Sequence, residues 1–272
     1  MTIDLFQFKG KRALIIGGAT GMGAAVAKLS ASLGAETVVL DVADITYAVT
    51  ESCHIDLRDK ASVEQCVNEL GGQFDVIHAC AGVADGTPCL MLINFISQRH
   101  IIESLMAAGR VNIGGAVVFI SSISGLPFHL NRAAVTEFLA ATDWDEAAAW
   151  IETHEGTNDY SFSKQAINGY IEGQAMNFIQ RGVRINGVMP GPTDTPLARA
   201  NADIWLAFAK DYREQIGLGP LAPEQVAQTM AFLASNAASG VNGANLIVDF
   251  GHTSASASGC IDEPAVRQML GV

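Results

Sequence analysis

A chain of 272 residues with 49% hydrophobic and 16% charged residues has the apolar material for a sizeable core and the length of one large α/β domain. Its net charge of −12 argues against sustained contact with nucleic-acid phosphates. The five cysteines are odd in number and widely spaced, with no Cys-x-x-Cys pair to suggest a redox or zinc site, and read as reduced, cytosolic thiols.

Asp4, Lys9, Lys11 and Arg12 precede the first long apolar run, unlike a signal peptide, and no stretch reaches the roughly 18 apolar residues of a membrane span. The expectation is a soluble, cytoplasmic protein. In chain order, strands are predicted at Arg12–Gly17, Thr37–Asp41, His54–Leu57, Phe74–Cys80, Ala116–Ser121, Val183–Met189 and Ala244–Asp249. Between them fall helices at Met22–Leu33, Lys60–Leu70, Asn94–Ala108, Tyr160–Gln180 and Pro223–Ala234, the first four followed directly or nearly so by glycine. Apolar, β-branched runs alternating with helical segments predict a single α/β domain over 1–272. Its core is a doubly wound, Rossmann-type parallel sheet of about seven strands with helices on both faces.

The first strand runs into Gly17-Gly18-Ala19-Thr20-Gly21-Met22-Gly23 and then a helix. Glycines let the backbone turn tightly and approach a pyrophosphate, whose charge rests on the free N–H groups of the helix start. No lysine follows the last glycine, so an ATP-binding P-loop is excluded. Asp41 ends the second strand, where a carboxylate accepts hydrogen bonds from ribose hydroxyls and repels a 2′-phosphate; this points to NAD rather than NADP. Asp56, followed by Leu57, either reaches the adenine or caps a turn.

Tyr160 and Lys164 lie four residues apart and share one helix face, where an ammonium favours the phenolate of its neighbour. With Gly17-x-x-x-Gly21-x-Gly23, Asn94, Ser122 and Pro190-Gly191-x-x-x-Thr195, they resemble, in that order, the short-chain dehydrogenase/reductase family over nearly the whole chain. The resemblance implies a hydride-transferring oxidoreductase. Ser122 would hold the substrate oxygen and Tyr160 would exchange its proton. Lys164 would bind the nicotinamide ribose and lower the tyrosine pKa, and Asn94 would anchor a water chain leading from Lys164. It also implies that Met22, Ala81, Gly82, Pro190, Gly191, Thr193 and Thr195 line the cofactor, with Thr195 at the nicotinamide amide, and that the chain forms a homo-dimer or homo-tetramer. Ile16 stands where the family usually has threonine, and Ala79-Cys80-Ala81-Gly82 where it usually has Asn-Asn-Ala-Gly; the Cys-Ala-Gly run is similar to the bacterial 3α-hydroxysteroid dehydrogenase/carbonyl reductase subgroup. Two other functions fit the same fold: a nucleotide-binding sensor without turnover, and an epimerase or dehydratase using the same nucleotide. The six histidines show no paired spacing, so no metal site is expected.

Ser122 and Tyr160 are unusually far apart for the family, by about 25 residues, a length suited to helices rather than a bare loop. Helices are expected at Arg132–Ala141 and Asp143–His154, the second opened by a capping box of Thr142 and Asp145. Phe128, Leu130, Phe138, Leu139, Trp144 and Trp150 of this insert (126–157) either line a substrate pocket with Leu197, Trp205, Leu206 and Phe208 of a second lid segment (192–218), or simply pack the insert onto the domain. The first alternative implies a bulky, apolar small-molecule substrate such as a hydroxysteroid, terpenoid or cyclic ketone.

Overall fold

The computed structural model describes residues 4–272. Seven parallel strands, β1 (Arg12–Ile16), β2 (Glu36–Asp41), β3 (Glu51–His54), β4 (Phe74–Ala79), β5 (Val111–Ile120), β6 (Arg184–Pro190) and β7 (Asn245–Val248), form one sheet in the order β3-β2-β1-β4-β5-β6-β7. Strands covered on both faces need apolar side chains throughout, and Ala13–Ile16, Val38–Leu40, Val76–Ala79 and Ala116–Val118 are buried accordingly.

The helices are α1 (Gly21–Ser32), α2 (Lys60–Glu69), α3 (Ser97–Ala107), α4 (Arg132–Ala140), α5 (Trp144–Thr153), α6 (Tyr160–Gln180), α7 (Pro196–Ala200), α8 (Ala202–Trp205), α9 (Lys210–Gln215), α10 (Pro223–Ala234), α11 (His252–Ala257) and α12 (Pro264–Leu270). One face of the sheet packs Ile15, Val39, Val76 and Val118 against Val26 of α1 and Val226 and Met230 of α10. The other packs Leu14, Val38, Ile77 and Phe119 against Val63 of α2, Ile102 of α3 and Tyr170 of α6. Strand order reverses between β1 and β4, so a crevice opens at their carboxyl ends, where such folds bind ligands.

Several boundaries differ from the sequence-based expectation. The third strand is Glu51–His54 rather than His54–Leu57, because Val38–Asp41 pair with Glu51–His54. Ile55 and Leu57 are buried from a turn that follows the strand, so their apolar character mimicked a strand. β5 starts at Val111 rather than Ala116, by pairing with Phe74 across a register shift. The helix expected from Asn94 opens instead with a π-turn, Leu92–Ile96, before α3. In the insert Asp143, not Thr142, caps α5: its carboxylate accepts from the N–H of Asp145 (2.8 Å) and Glu146 (3.4 Å).

The insert packs onto the domain and does not line the reactive cleft. Phe138 meets Phe95 at 5.7 Å, Trp150 at 5.2 Å and Phe162 at 5.6 Å between ring centroids, and Trp144 meets His100 at 5.6 Å. The apolar stripes of α4 and α5 are satisfied by α3 and α6, while Leu130 is exposed.

Candidate active site

At the end of β1, Gly17 adopts φ +82°, and a Cβ there would fall 2.4 Å from the Cα of Ala81. A Cβ on Gly23 would fall 1.9 Å from the carbonyl oxygen of Gly17. Only glycine permits this turn, and the Tyr47 hydroxyl ties it down by donating to the Gly18 carbonyl. Thr20 caps α1 by position without a side-chain hydrogen bond among the described residues, so the first N–H groups of the helix face the crevice free for an anion. Gly17, Thr20, Gly21 and Gly23, with Met22, Asp41, Asp56, Leu57, Ala81, Gly82 and Thr195, line a cleft of about 420 Å³.

The Asp41 carboxylate accepts from the N–H of Ala19 (2.8 Å) and of Ala43 (3.0 Å), holding it beside the glycine turn. Asp56 caps its own turn through the N–H of Arg58 (2.9 Å) while also lining the cleft; Arg58 chelates it with Nε and Nη2, which holds the half-buried carboxyl below its usual range. Arg58 is thereby brought to the cleft wall.

A second cleft, of about 470 Å³, adjoins the first and shares Met22, Cys80, Gly82, Thr195 and Leu197 with it. Ser122, Tyr160 and Lys164 meet there. Ser122 follows β5 and caps the short 3₁₀ helix Ile123–His129, its hydroxyl accepting from the N–H of Ser124 (3.1 Å). Tyr160 opens α6, whose cap is Asp159, accepting from the N–H of Phe162 at 2.7 Å. The Tyr160 N–H itself donates to Asp85 (2.7 Å), a residue of the loop after β4. Burial pushes the phenol up to about 12, a hydrogen bond with Ser122 acts in the opposite direction, and Asp85 adds to the rise. The field expected from Lys164 therefore does not lead the balance at the tyrosine; burial does.

Lys164 is 2% exposed, its Nζ 5.4 Å from the Tyr160 ring centroid and donating to the Ile120 carbonyl (3.0 Å). Burial lowers its pKa to about 8. Asn94 sits in the π-turn, fully buried: its Oδ1 accepts from Val83 N–H (2.8 Å), and its Nδ2 donates to the Val83 carbonyl and to Ser163 Oγ, both at 3.1 Å. Gln98 bonds to the carbonyls of Ala81 (3.0 Å), Ile93 (3.0 Å) and Asn94 (2.9 Å), pinning the Ala81-Gly82 loop to that turn.

Pro190 ends β6, and Gly191 lets the chain pass against Asp249, where a Cβ would come within 2.9 Å. Thr193 bonds to the Gly191 carbonyl (2.9 Å), while Thr195 caps α7 through Ala198 N–H (3.1 Å) and stands 3.4 Å from where a Cβ on Gly21 would fall. Of the residues expected in the lid, Leu197, Trp205 and Phe208 reach the second cleft, and Trp205 lies 4.8 Å from the Tyr160 ring. Sequence reasoning missed Asp85, Gln98, Arg58 and, from α12, Met269. None carries a short-range spacing signal, although Asp159 immediately before Tyr160 is a readable helix cap.

A family profile described as Enoyl-(Acyl carrier protein) reductase matches residues 146–253. The chain is similar to cis-4-hydroxycyclohexanecarboxylate dehydrogenase of Sinomonas cyclohexanicum, 32% identical over 90% of this chain and 98% of the relative. It also matches 3-alpha-hydroxysteroid dehydrogenase/carbonyl reductase of Comamonas testosteroni, 28% identical over 88% of this chain and 95% of that one. Among solved structures, the 3-alpha-hydroxysteroid dehydrogenase of Pseudomonas sp. B-0831 complexed with NADH superimposes with a TM-score of 0.74, at 26% identity over 93% of this chain and 100% of that one. The chain belongs to the short-chain dehydrogenase/reductase family and is an oxidoreductase of the alcohol dehydrogenase/ketone reductase kind. Among the described residues, no helix is long and apolar enough to cross a membrane.

Proposed function

We propose that this enzyme transfers hydride between NAD(H) and a carbonyl or secondary alcohol on a bulky, apolar framework, such as a hydroxysteroid, terpenoid or cyclic ketone. The observation that carries the reading is the meeting of Ser122, Tyr160 and Lys164 in a cleft contiguous with the glycine turn. Gly17, Gly21, Gly23 and the open end of α1 suit a pyrophosphate, Asp41 suits the adenosine ribose, and Ala81, Gly82, Pro190, Gly191, Thr193 and Thr195 surround the path toward Tyr160. The bound dinucleotide supplies the hydride or takes it up. Asp41 with the exposed, uncharged Val42 beside it favours NAD over NADP, since a 2′-phosphate would meet a carboxylate while Arg58 is engaged by Asp56.

In reduction, Ser122 donates a hydrogen bond to the substrate oxygen, and Tyr160, held as a neutral phenol at neutral pH, delivers the proton as the oxygen gains negative charge. In oxidation the phenol must first surrender its proton, a loss that the Ser122 hydrogen bond and the nearby Lys164 ammonium favour. Asn94 anchoring a water chain from Lys164 is part of the proposal, since Lys164 Nζ and Asn94 Oδ1 both lie beside Gly82, and Lys164 also offers donors to ribose hydroxyls. Ile123, Leu197, Trp205 and Phe208 give the far side of the cleft its apolar character, which supports a large hydrophobic substrate and lid movement of 192–218 around it.

A homo-dimer or homo-tetramer is part of the proposal: Met176 and Ile179 are exposed on α6 at 68% and 46%, apolar surface suited to a helix pairing across a symmetry axis. So is a cytoplasmic setting, in which five free thiols stay reduced. The test is kcat/KM for graded ketones with NADH and NADPH. The reading expects preference for NADH and for large apolar ketones over small polar ones; equal use of NADPH overturns the first part and equal use of small polar ketones the second.

A further inference from the structure

Beyond β7 the chain does not simply trail away. Phe250 (φ 57°) and Gly251 (φ 85°) turn it sharply, and the Asp249 carboxylate fixes the new direction by accepting from the N–H of Gly251 (2.9 Å) and Thr253 (2.7 Å) at the start of α11. His252, 1% exposed, lies against two lid residues, with ring centroids 5.5 Å from Phe208 and 5.1 Å from Tyr212. Its Nε2 is 3.7 Å from Glu263, just before α12, and the Tyr212 hydroxyl donates to the Phe250 carbonyl (2.8 Å). Lid and tail are therefore stitched into one unit.

α12 then crosses to the 3₁₀ helix that follows Ser122. Met269 and Leu270 pack with Ile123, Leu126, Met189 and Phe208 in a small apolar cluster separate from the two main cores. The helix end is fitted closely: Gly271 adopts φ 72°, and a Cβ there would stand 2.8 Å from Leu130 Cδ2. Met269 also lines the cleft that holds Ser122 and Tyr160. The insert that sequence reasoning placed at this wall is packed elsewhere, and the family profile ends at residue 253, before this segment.

We propose that α12 forms the distal wall of the substrate pocket and that Met269 is a specificity-determining residue, setting how far an apolar substrate can extend from Tyr160. The inference rests on the oxidoreductase reading and deepens it. Met269 packs on the same small cluster as Ile123 from the serine side and Phe208 from the lid, and it lines the cleft beside them, so a substrate growing away from Tyr160 meets it there. An unbranched thioether yields to shape but occupies volume. Shortening it lengthens the pocket, and replacing it with a larger ring shortens the pocket.

The experiment measures kcat and KM for cyclohexanone and for the fused two-ring ketone 2-decalone with NADH, in the wild type, Met269→Ala and Met269→Trp, with thermal midpoints recorded alongside. Since one methylene in an apolar pocket is worth roughly tenfold or more, the ratio of kcat/KM for decalone over cyclohexanone should shift by about tenfold, upward in Met269→Ala and downward in Met269→Trp. The change should lie mainly in KM for the larger ketone, with cyclohexanone within about twofold of wild type. If the alanine variant folds poorly, a milder Met269→Val variant, which removes less volume, should still raise the ratio by about threefold or more, and an unchanged ratio there would also overturn the inference. An unchanged ratio in both Ala and Trp variants, or a parallel fall for both ketones, overturns the inference while leaving the oxidoreductase reading intact. Failure of the wild type to turn over either ketone would instead count against that reading, and with it this one.

Discussion

Lys164→Met should make the cofactor-free protein more stable while abolishing its chemistry. Lys164 is 2% exposed, and burial lowers its pKa from 10.5 to about 8. At 1.36 kcal/mol per unit, the folded state bears a cost of about 3 kcal/mol for keeping that ammonium at pH 7. Methionine has a similar length but leaves the Ile120 carbonyl without its donor, which returns about 1 kcal/mol of the gain. The net expectation is about 2 kcal/mol, or a rise in Tm of about 4 to 8 °C for a chain of this size. The pH dependence has a definite sign. Below about 8 both folded and unfolded lysine are charged and the full cost is present; between 8 and 10.5 the unfolded chain binds more protons, so wild-type stability rises with pH and the advantage of the variant shrinks. Urea unfolding of both proteins at pH 7 and pH 10 measures this. A destabilised variant at pH 7, or an advantage that does not diminish at pH 10, would refute the reasoning.

His78 lies in β4 opposite Ile15 and Val118 of its neighbouring strands, and burial lowers its pKa from 6.5 to about 3. The unfolded chain therefore binds a proton that the fold rejects between those values, and stability falls as pH drops below 6.5, by about 3 kcal/mol at pH 4.5. Unfolding of His78→Leu should show a weaker loss between pH 7 and 4.5 than wild type, and equal losses would contradict it. Asp85 and Asp159 line the substrate cleft, where Lys164 is the basic residue among those described. A substrate carboxylate within about 8 Å of them is disfavoured by roughly 1 kcal/mol or more. The carboxylate 4-oxocyclohexanecarboxylate should be reduced at least about fivefold less efficiently than its methyl ester, and Asp85→Asn, which retains an acceptor for the Tyr160 N–H, should narrow that ratio; equal kcat/KM in the wild type would sink the idea.

Much of the fold was legible because its signals are short-range. The run from β1 through Gly17 and Gly23 into α1, and the four-residue spacing of Tyr160 and Lys164, are local patterns whose geometry the backbone dictates. The misread strand arose where Ile55 and Leu57 are buried without belonging to the sheet, since burial alone does not distinguish a strand from a tight turn beneath a helix. The insert shows a different limit. Its helices were legible from composition, but an amphipathic stripe does not state which neighbour it will face, and Phe138 found Phe95 of the π-turn and Phe162 of α6, and Trp144 found His100 of α3, rather than the substrate. Asp85 reaches Tyr160 across 75 positions, and Met269 reaches Ile123 from the far end of the chain; contacts of that range leave no local mark.

The measurement that bears most directly on the assignment of Tyr160 compares wild type with Tyr160→Phe: NADH affinity by fluorescence titration, then kcat for reduction of a bulky cyclic ketone. The phenol acts on developing charge at the substrate oxygen and not on the nucleotide. The account therefore predicts a fall in kcat of at least about 10² to 10⁴ with NADH affinity within about threefold of wild type. Near-normal turnover in Tyr160→Phe would contradict it.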